Sequence, residues 1–155
     1  MKPTAPRYLL QDRSNSCCNL YALCNALRFY GRRSPEPGTP EWERLVDLAG
    51  CRHGSAVRTD EAAKSLGLVR KPISPDRAIE RAPVMLTVWS PEMGMAMHSV
   101  LVIGGRYGLA RLVNYRFGRG PVVEDVVWDT LAMPERGNVN RHAWTLRLAK
   151  GAPRS

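Results

Sequence analysis

The sequence predicts an α+β fold. The first half of the chain carries apolar residues at helical spacing between helix-capping residues, and from residue 83 onward the pattern changes to short β-branched and alternating runs. Helices first and strands afterwards describe an antiparallel sheet with helices packed to one side, whereas a parallel sheet would show the two alternating. A length of 155 residues suits one domain, residues 1–155, with a substantial core.

The first helix is expected over residues 17–30, where Leu20, Leu23, Cys24 and Leu27 recur on one face and Gly31 stops the run. RRSPEPGTP is the linker to a second helix, which opens with Thr39 as N-cap and Pro40 at the first helical position and ends at Gly50. A third helix, TDEAAKSLG, begins at Thr59 and ends at Gly67. A short fourth follows Ser74 and Pro75. VMLTVW, HSVLVIGG, LARLVN and AWTLRL then read as strands, with GGRYG supplying the glycines of a hairpin turn between the second and third.

No apolar run approaches the roughly 18 residues of a membrane-spanning helix. The N-terminal MKPTAPRYLLQDR offers only a Tyr-Leu-Leu triplet where a signal peptide needs a longer apolar stretch, so a cytoplasmic location is expected. Four cysteines in that setting are expected to be reduced thiols. The net charge of +9 comes mostly from arginine, with an acid-free run holding Arg106, Arg111, Arg116 and Arg119. Such a run suits nucleic acid, an acidic protein or an anionic membrane surface, and equally a solvated basic face; no nucleic-acid motif accompanies it.

The stretch QDRSNSCCN raises the question of chemistry, because a core helix needs neither a glutamine nor adjacent thiols at its start. Amide cleavage by a thiol needs a thiolate, a histidine to take and return its proton, a group that fixes the ring, and donors for the oxyanion. Cys17 sits where the N-terminus of the first helix favours a thiolate. His98 begins a strand, and Asn114 ends the next strand of the hairpin, beside it. Gln11 precedes Cys17 by six residues and offers an amide N–H to the oxyanion. Cys18 competes for the nucleophile's role, but neighbours on a helix point about 100° apart, so only one of the pair faces the histidine. Cys24 is assigned to the core. Cys51 and His53 resemble half of a zinc site, yet no CxxC or HxxxH pair completes it, so no metal and no other cofactor is expected. His142 is taken as structural.

Gln six residues before a helix-starting Cys, then a His, then Asn sixteen residues after it, resembles the papain-like cysteine peptidases. The chain is most similar to their bacteriocin-processing branch, which removes double-glycine leader peptides, and to its free-standing relatives. DEAAKSLGL, APVMLTV and HSVLVIG extend the likeness over most of residues 10–128. The resemblance implies a papain-like fold, with the nucleophile on the first helix packed against a C-terminal sheet. It implies Cys17 as nucleophile, His98 as base, Asn114 as orienting residue and Gln11 as oxyanion donor, acting on a peptide or protein. Three departures stand out. Cys18 replaces the usual Gly after the nucleophile, Asn114 stands where the leader-cleaving members mostly have Asp, and no transporter sequence follows within these residues. The same constellation suits acyl transfer or deamidation, and a catalytically silent module that binds a peptide or acidic partner is the alternative of another class.

Overall fold

A computed structural model of the protein describes residues 7–11, 17–54, 56–90, 96–116, 120–133 and 142–151. Helices α1 (Cys18–Phe29), α2 (Pro40–Ala49) and α3 (Thr59–Ser65) precede a six-stranded antiparallel sheet, confirming the α+β class. Its strands are β1 (Leu68–Pro72), β2 (Val84–Ser90), β3 (Ala96–Arg106), β4 (Leu109–Val113), β5 (Val123–Val127) and β6 (Ala143–Leu148), in the order β1-β6-β2-β3-β4-β5.

The helix boundaries follow the capping chemistry. Thr39 accepts the Trp42 N–H at 3.3 Å, Pro40 occupies the first helical position, and Gly50 closes α2 in the left-handed region at φ 72°. The hairpin turn falls at Tyr107 and Gly108, both with positive φ, between paired Arg106 and Leu109. Gly105 is required there, since a Cβ would overlap the Leu109 carbonyl oxygen.

Three expectations need correction. The segment after Ser74 is a single 3-10 turn, Pro75–Arg77, and Ser74 makes no side-chain cap. Two strands went unread, β1 and β5, and both lie at sheet edges, where one face or one side meets solvent and the apolar pattern thins to LVRKP and VEDVV.

The sheet buries both faces. One packs Met85, Leu101, Val113 and Leu146 against α1, α2 and α3 through Leu20, Leu23, Leu27, Trp42 and Ala62. The other gathers Val84, Leu86, Val88, Val100, Val102 and Leu112 beneath Ala78 and Leu131. Truncating a fully buried leucine such as Leu23 to alanine is expected to cost about 2–5 kcal/mol. This packing fixes the N-terminus of α1 over the start of β3, the end of the sheet where β4 finishes.

Candidate active site

The two adjacent cysteines take different environments. Cys17 is the N-cap of α1, buried at 3% exposure, and its sulfur is bonded to that of Cys51. The expectation that all four cysteines are free thiols is therefore corrected. Gly50 turns the chain after α2 so that Cys51 meets the start of α1 with its Cα 5.6 Å from that of Cys17, an ordinary disulfide separation that a sequence separation of 34 hides from the sequence. Cys18, the first residue of α1, is half-buried and keeps its thiol. β4 leaves the ladder at Val113, opposite Leu101, and two residues further back along β3 Ser99 gives its N–H to Cys18 Sγ at 3.4 Å. Asn19 secures this end of α1: its amide donates to Thr59 Oγ1 at 3.0 Å, and its oxygen receives the Ser99 hydroxyl.

His98, the neighbour of Ser99, is fully buried, and the alternation of β3 puts it on the sheet face of Val100 and Val102. Its Nε2 lies 2.8 Å from the main-chain oxygen of Asn114. A carbonyl oxygen only accepts, so Nε2 carries the hydrogen, and in the neutral ring Nδ1 is the basic nitrogen. Burial holds the His98 pKa below its usual value of 6.5, partly offset by the Asn114 carbonyl. Asn114 has φ 63°, a left-handed conformation that Asn tolerates better than most residues and that lets the chain leave β4 here. Its side chain does something else: Oδ1 accepts the Gln11 N–H at 3.0 Å, and Nδ2 donates to the Leu9 oxygen at 2.8 Å. Gln11 is itself buried at 1% exposure. The structure thus joins His98 to Asn114 and Asn114 to Gln11, while Cys18 meets the main chain of Ser99, the residue after His98.

The fold has solved counterparts. The peptidase domain of Streptococcus ComA, a bifunctional ABC transporter of a quorum-sensing pathway, superposes with a TM-score of 0.65, covering 93% of this chain and 98% of that one at 15% identity. A double-glycine-motif protease from an AMS/PCAT transporter, solved with its leader peptide, gives a TM-score of 0.58 over 96% of this chain and 97% of that one at 14% identity. The chain has the papain-like peptidase fold. No protein-family model and no curated protein sequence matches it, so the likeness rests on the fold.

Within this papain-like fold several other residues find their places. Cys24 is buried against the helical core, and burial pushes its thiol up to about 12, opposed by Arg28. The pairing of Cys51 with Cys17 removes the half zinc site read from Cys51 and His53, and among the described residues no group of three or more metal-ligating side chains gathers. Arg111 pairs with Asp125, its cross-strand partner, at 3.0 Å, and Arg116 with Glu124 at 3.1 Å, so acids of the unread strand β5 answer much of the basic run; Arg119 lies outside the described residues. No described helix is long and apolar enough to cross a membrane. Sequence reasoning missed Asn25, fully buried within α1 and bonded to Leu9. A polar residue between Leu23 and Leu27 was its only signal.

Proposed function

We propose that the chain is a papain-like cysteine peptidase, with Cys18 as nucleophile, His98 as general base and acid, Gln11 as oxyanion donor and Asn114 holding the histidine ring. The observations that support this reading are a half-buried thiol, Cys18, that receives the main-chain N–H of Ser99, and, one residue before Ser99, a histidine whose Nε2–H is engaged by Asn114. The expected nucleophile, Cys17, satisfies the six-residue spacing from Gln11, but in the disulfide its sulfur has no proton to lose. The role passes to the neighbouring thiol.

In the proposed cycle His98 Nδ1 takes the Cys18 proton, and the thiolate attacks the substrate carbonyl carbon. The oxygen that becomes negative is met by the Gln11 amide and by N–H groups at the start of α1. The C–N bond breaks as His98 returns its proton to the leaving amine. Water, deprotonated by the same nitrogen, then hydrolyses the thioester and regenerates the thiol. The Asn114 carbonyl stabilises the protonated ring throughout, through the Nε2–H bond.

The PCAT protease was solved with a leader peptide, which supports a peptide or protein substrate here. The same acyl-enzyme serves acyl transfer if an amine replaces water. The experiment is a mass-spectrometric digest of a peptide library, with double-glycine leader peptides included, by wild type, Cys18→Ala and Cys17→Ala. Cleavage lost in Cys18→Ala and retained in Cys17→Ala is expected. Loss only in Cys17→Ala would return the nucleophile to Cys17, and an amine adduct without cleavage would assign acyl transfer. Binding without any turnover would reduce the protein to a silent peptide-binding module.

A further inference from the structure

We infer that Asn25 and the side chain of Asn114 act together as positioning residues that set where Gln11 stands; this rests on the reading of Gln11 as the oxyanion donor. Four hydrogen bonds build the device. Asn25 Oδ1 accepts the Leu9 N–H at 2.7 Å and its Nδ2 donates to the Leu9 oxygen at 3.1 Å. Asn114 Nδ2 donates to that same oxygen at 2.8 Å and its Oδ1 accepts the Gln11 N–H at 3.0 Å. Both side chains are buried, Asn25 fully and Asn114 at 3% exposure. Every one of these amide bonds is spent on the main chain of residues 9–11.

An asparagine buried in an apolar helix face costs stability unless its polar atoms are bonded, and leucine would fill the space without that demand. The observed geometry fits a demand for placement. Asn25 lies seven residues after Cys18, close to two full turns, so both share one side of α1. The helix that carries the thiol therefore also grips the segment that carries the glutamine. Asn114 closes the loop from the other side, since the residue whose carbonyl holds His98 also accepts the main-chain N–H of Gln11. Thiol, imidazole and oxyanion donor are referred to one rigid frame, and a shift of about 1 Å in the donor is enough to weaken transition-state binding.

The test separates oxyanion stabilisation from thiol activation. Alkylation of Cys18 by iodoacetamide passes through no oxyanion, whereas acylation by p-nitrophenyl acetate does and releases a visible burst of p-nitrophenolate. Asn25→Leu is expected to slow the burst about tenfold or more and to leave alkylation within about twofold of wild type. Gln11→Ala is expected to slow the burst by on the order of a hundredfold, and the double variant to be no slower than Gln11→Ala alone. Should Asn25→Leu not fold, Asn114→Gly keeps the main-chain carbonyl and the left-handed backbone while removing the side chain, and its burst is expected to fall by tenfold or more relative to its alkylation. A wild-type burst in these variants beside a slow Gln11→Ala overturns the clamp and leaves the oxyanion role of Gln11 standing. A wild-type burst in Gln11→Ala overturns that role and the clamp together. Equal loss of burst and alkylation in Asn25→Leu makes Asn25 a structural residue only.

Discussion

His98 donates its Nε2–H to the main-chain oxygen of Asn114, 2.8 Å away, and not to the Asn114 side chain. Sixteen residues separate the two in sequence, the spacing that led to the expectation of an orienting asparagine. The residue is in the expected position, but its backbone holds the histidine while its amide holds residues 9–11.

That division of labour makes Asn114→Asp informative. The carbonyl that accepts from His98 survives the change, but a carboxylate oxygen replaces the Nδ2 donor and faces the Leu9 oxygen it formerly bonded at 2.8 Å. Two acceptors at that distance repel, so the segment carrying Gln11 shifts. Steady-state cleavage should show kcat/KM lowered by about one to two powers of ten, or about 1.4 to 2.7 kcal/mol. Wild-type kcat/KM would show that the side chain does not matter to the site.

The buried ring of His98 predicts a pH dependence of stability. Burial lowers its pKa from 6.5, so the neutral form is favoured in the fold and the unfolded chain takes up the proton first as the pH falls. The stability due to His98 is then intact above the unfolded value of 6.5 and is lost as the pH falls from there toward the folded pKa. Urea unfolding of wild type and His98→Gln at several pH values below 7 measures it. Their difference should change by at most about 1.4 kcal/mol per pH unit in that window and be flat above it. A difference independent of pH would contradict the assignment.

The bond between Cys17 and Cys51 closes a loop across a sequence separation of 34. Cys51→Ser should lose about 2–4 kcal/mol of unfolding free energy without reductant, and wild type should fall to a similar value once reduced. Denaturant titrations with and without dithiothreitol give the comparison. Identical curves for wild type in the two conditions would mean that the pair contributes nothing.

How much of this was legible in the sequence depended on whether local chemistry or distant contact decided the structure. Thr39, Pro40 and Gly50 announce α2 because capping is a matter of adjacent residues, and Tyr107-Gly108 announces its hairpin for the same reason. β1 and β5 escaped because edge strands tolerate Arg70 and Lys71 or Glu124 and Asp125, whose charges break the apolar alternation. Gln11, His98 and Asn114 were singled out by order and spacing, and hydrogen bonds link His98 to Asn114 and Asn114 to Gln11. Which atoms of Asn114 serve which partner depends on its left-handed backbone, and asparagine announces only that this conformation is tolerated. The Cys17 to Cys51 bond and the grip of Asn25 on Leu9 join residues far apart in sequence, with no periodicity to reveal them.

The central claim is that Cys18 is a nucleophile activated by His98. Iodoacetamide alkylation, with the modified residue located by peptide mapping, tests it directly in wild type and His98→Ala across pH 5 to 9. Cys18 should be modified selectively in wild type, and its modification should slow by about tenfold or more in His98→Ala. Cys24, buried and with its thiol pushed up to about 12, should stay unmodified in both. Equal rates of Cys18 modification in wild type and His98→Ala would contradict the account.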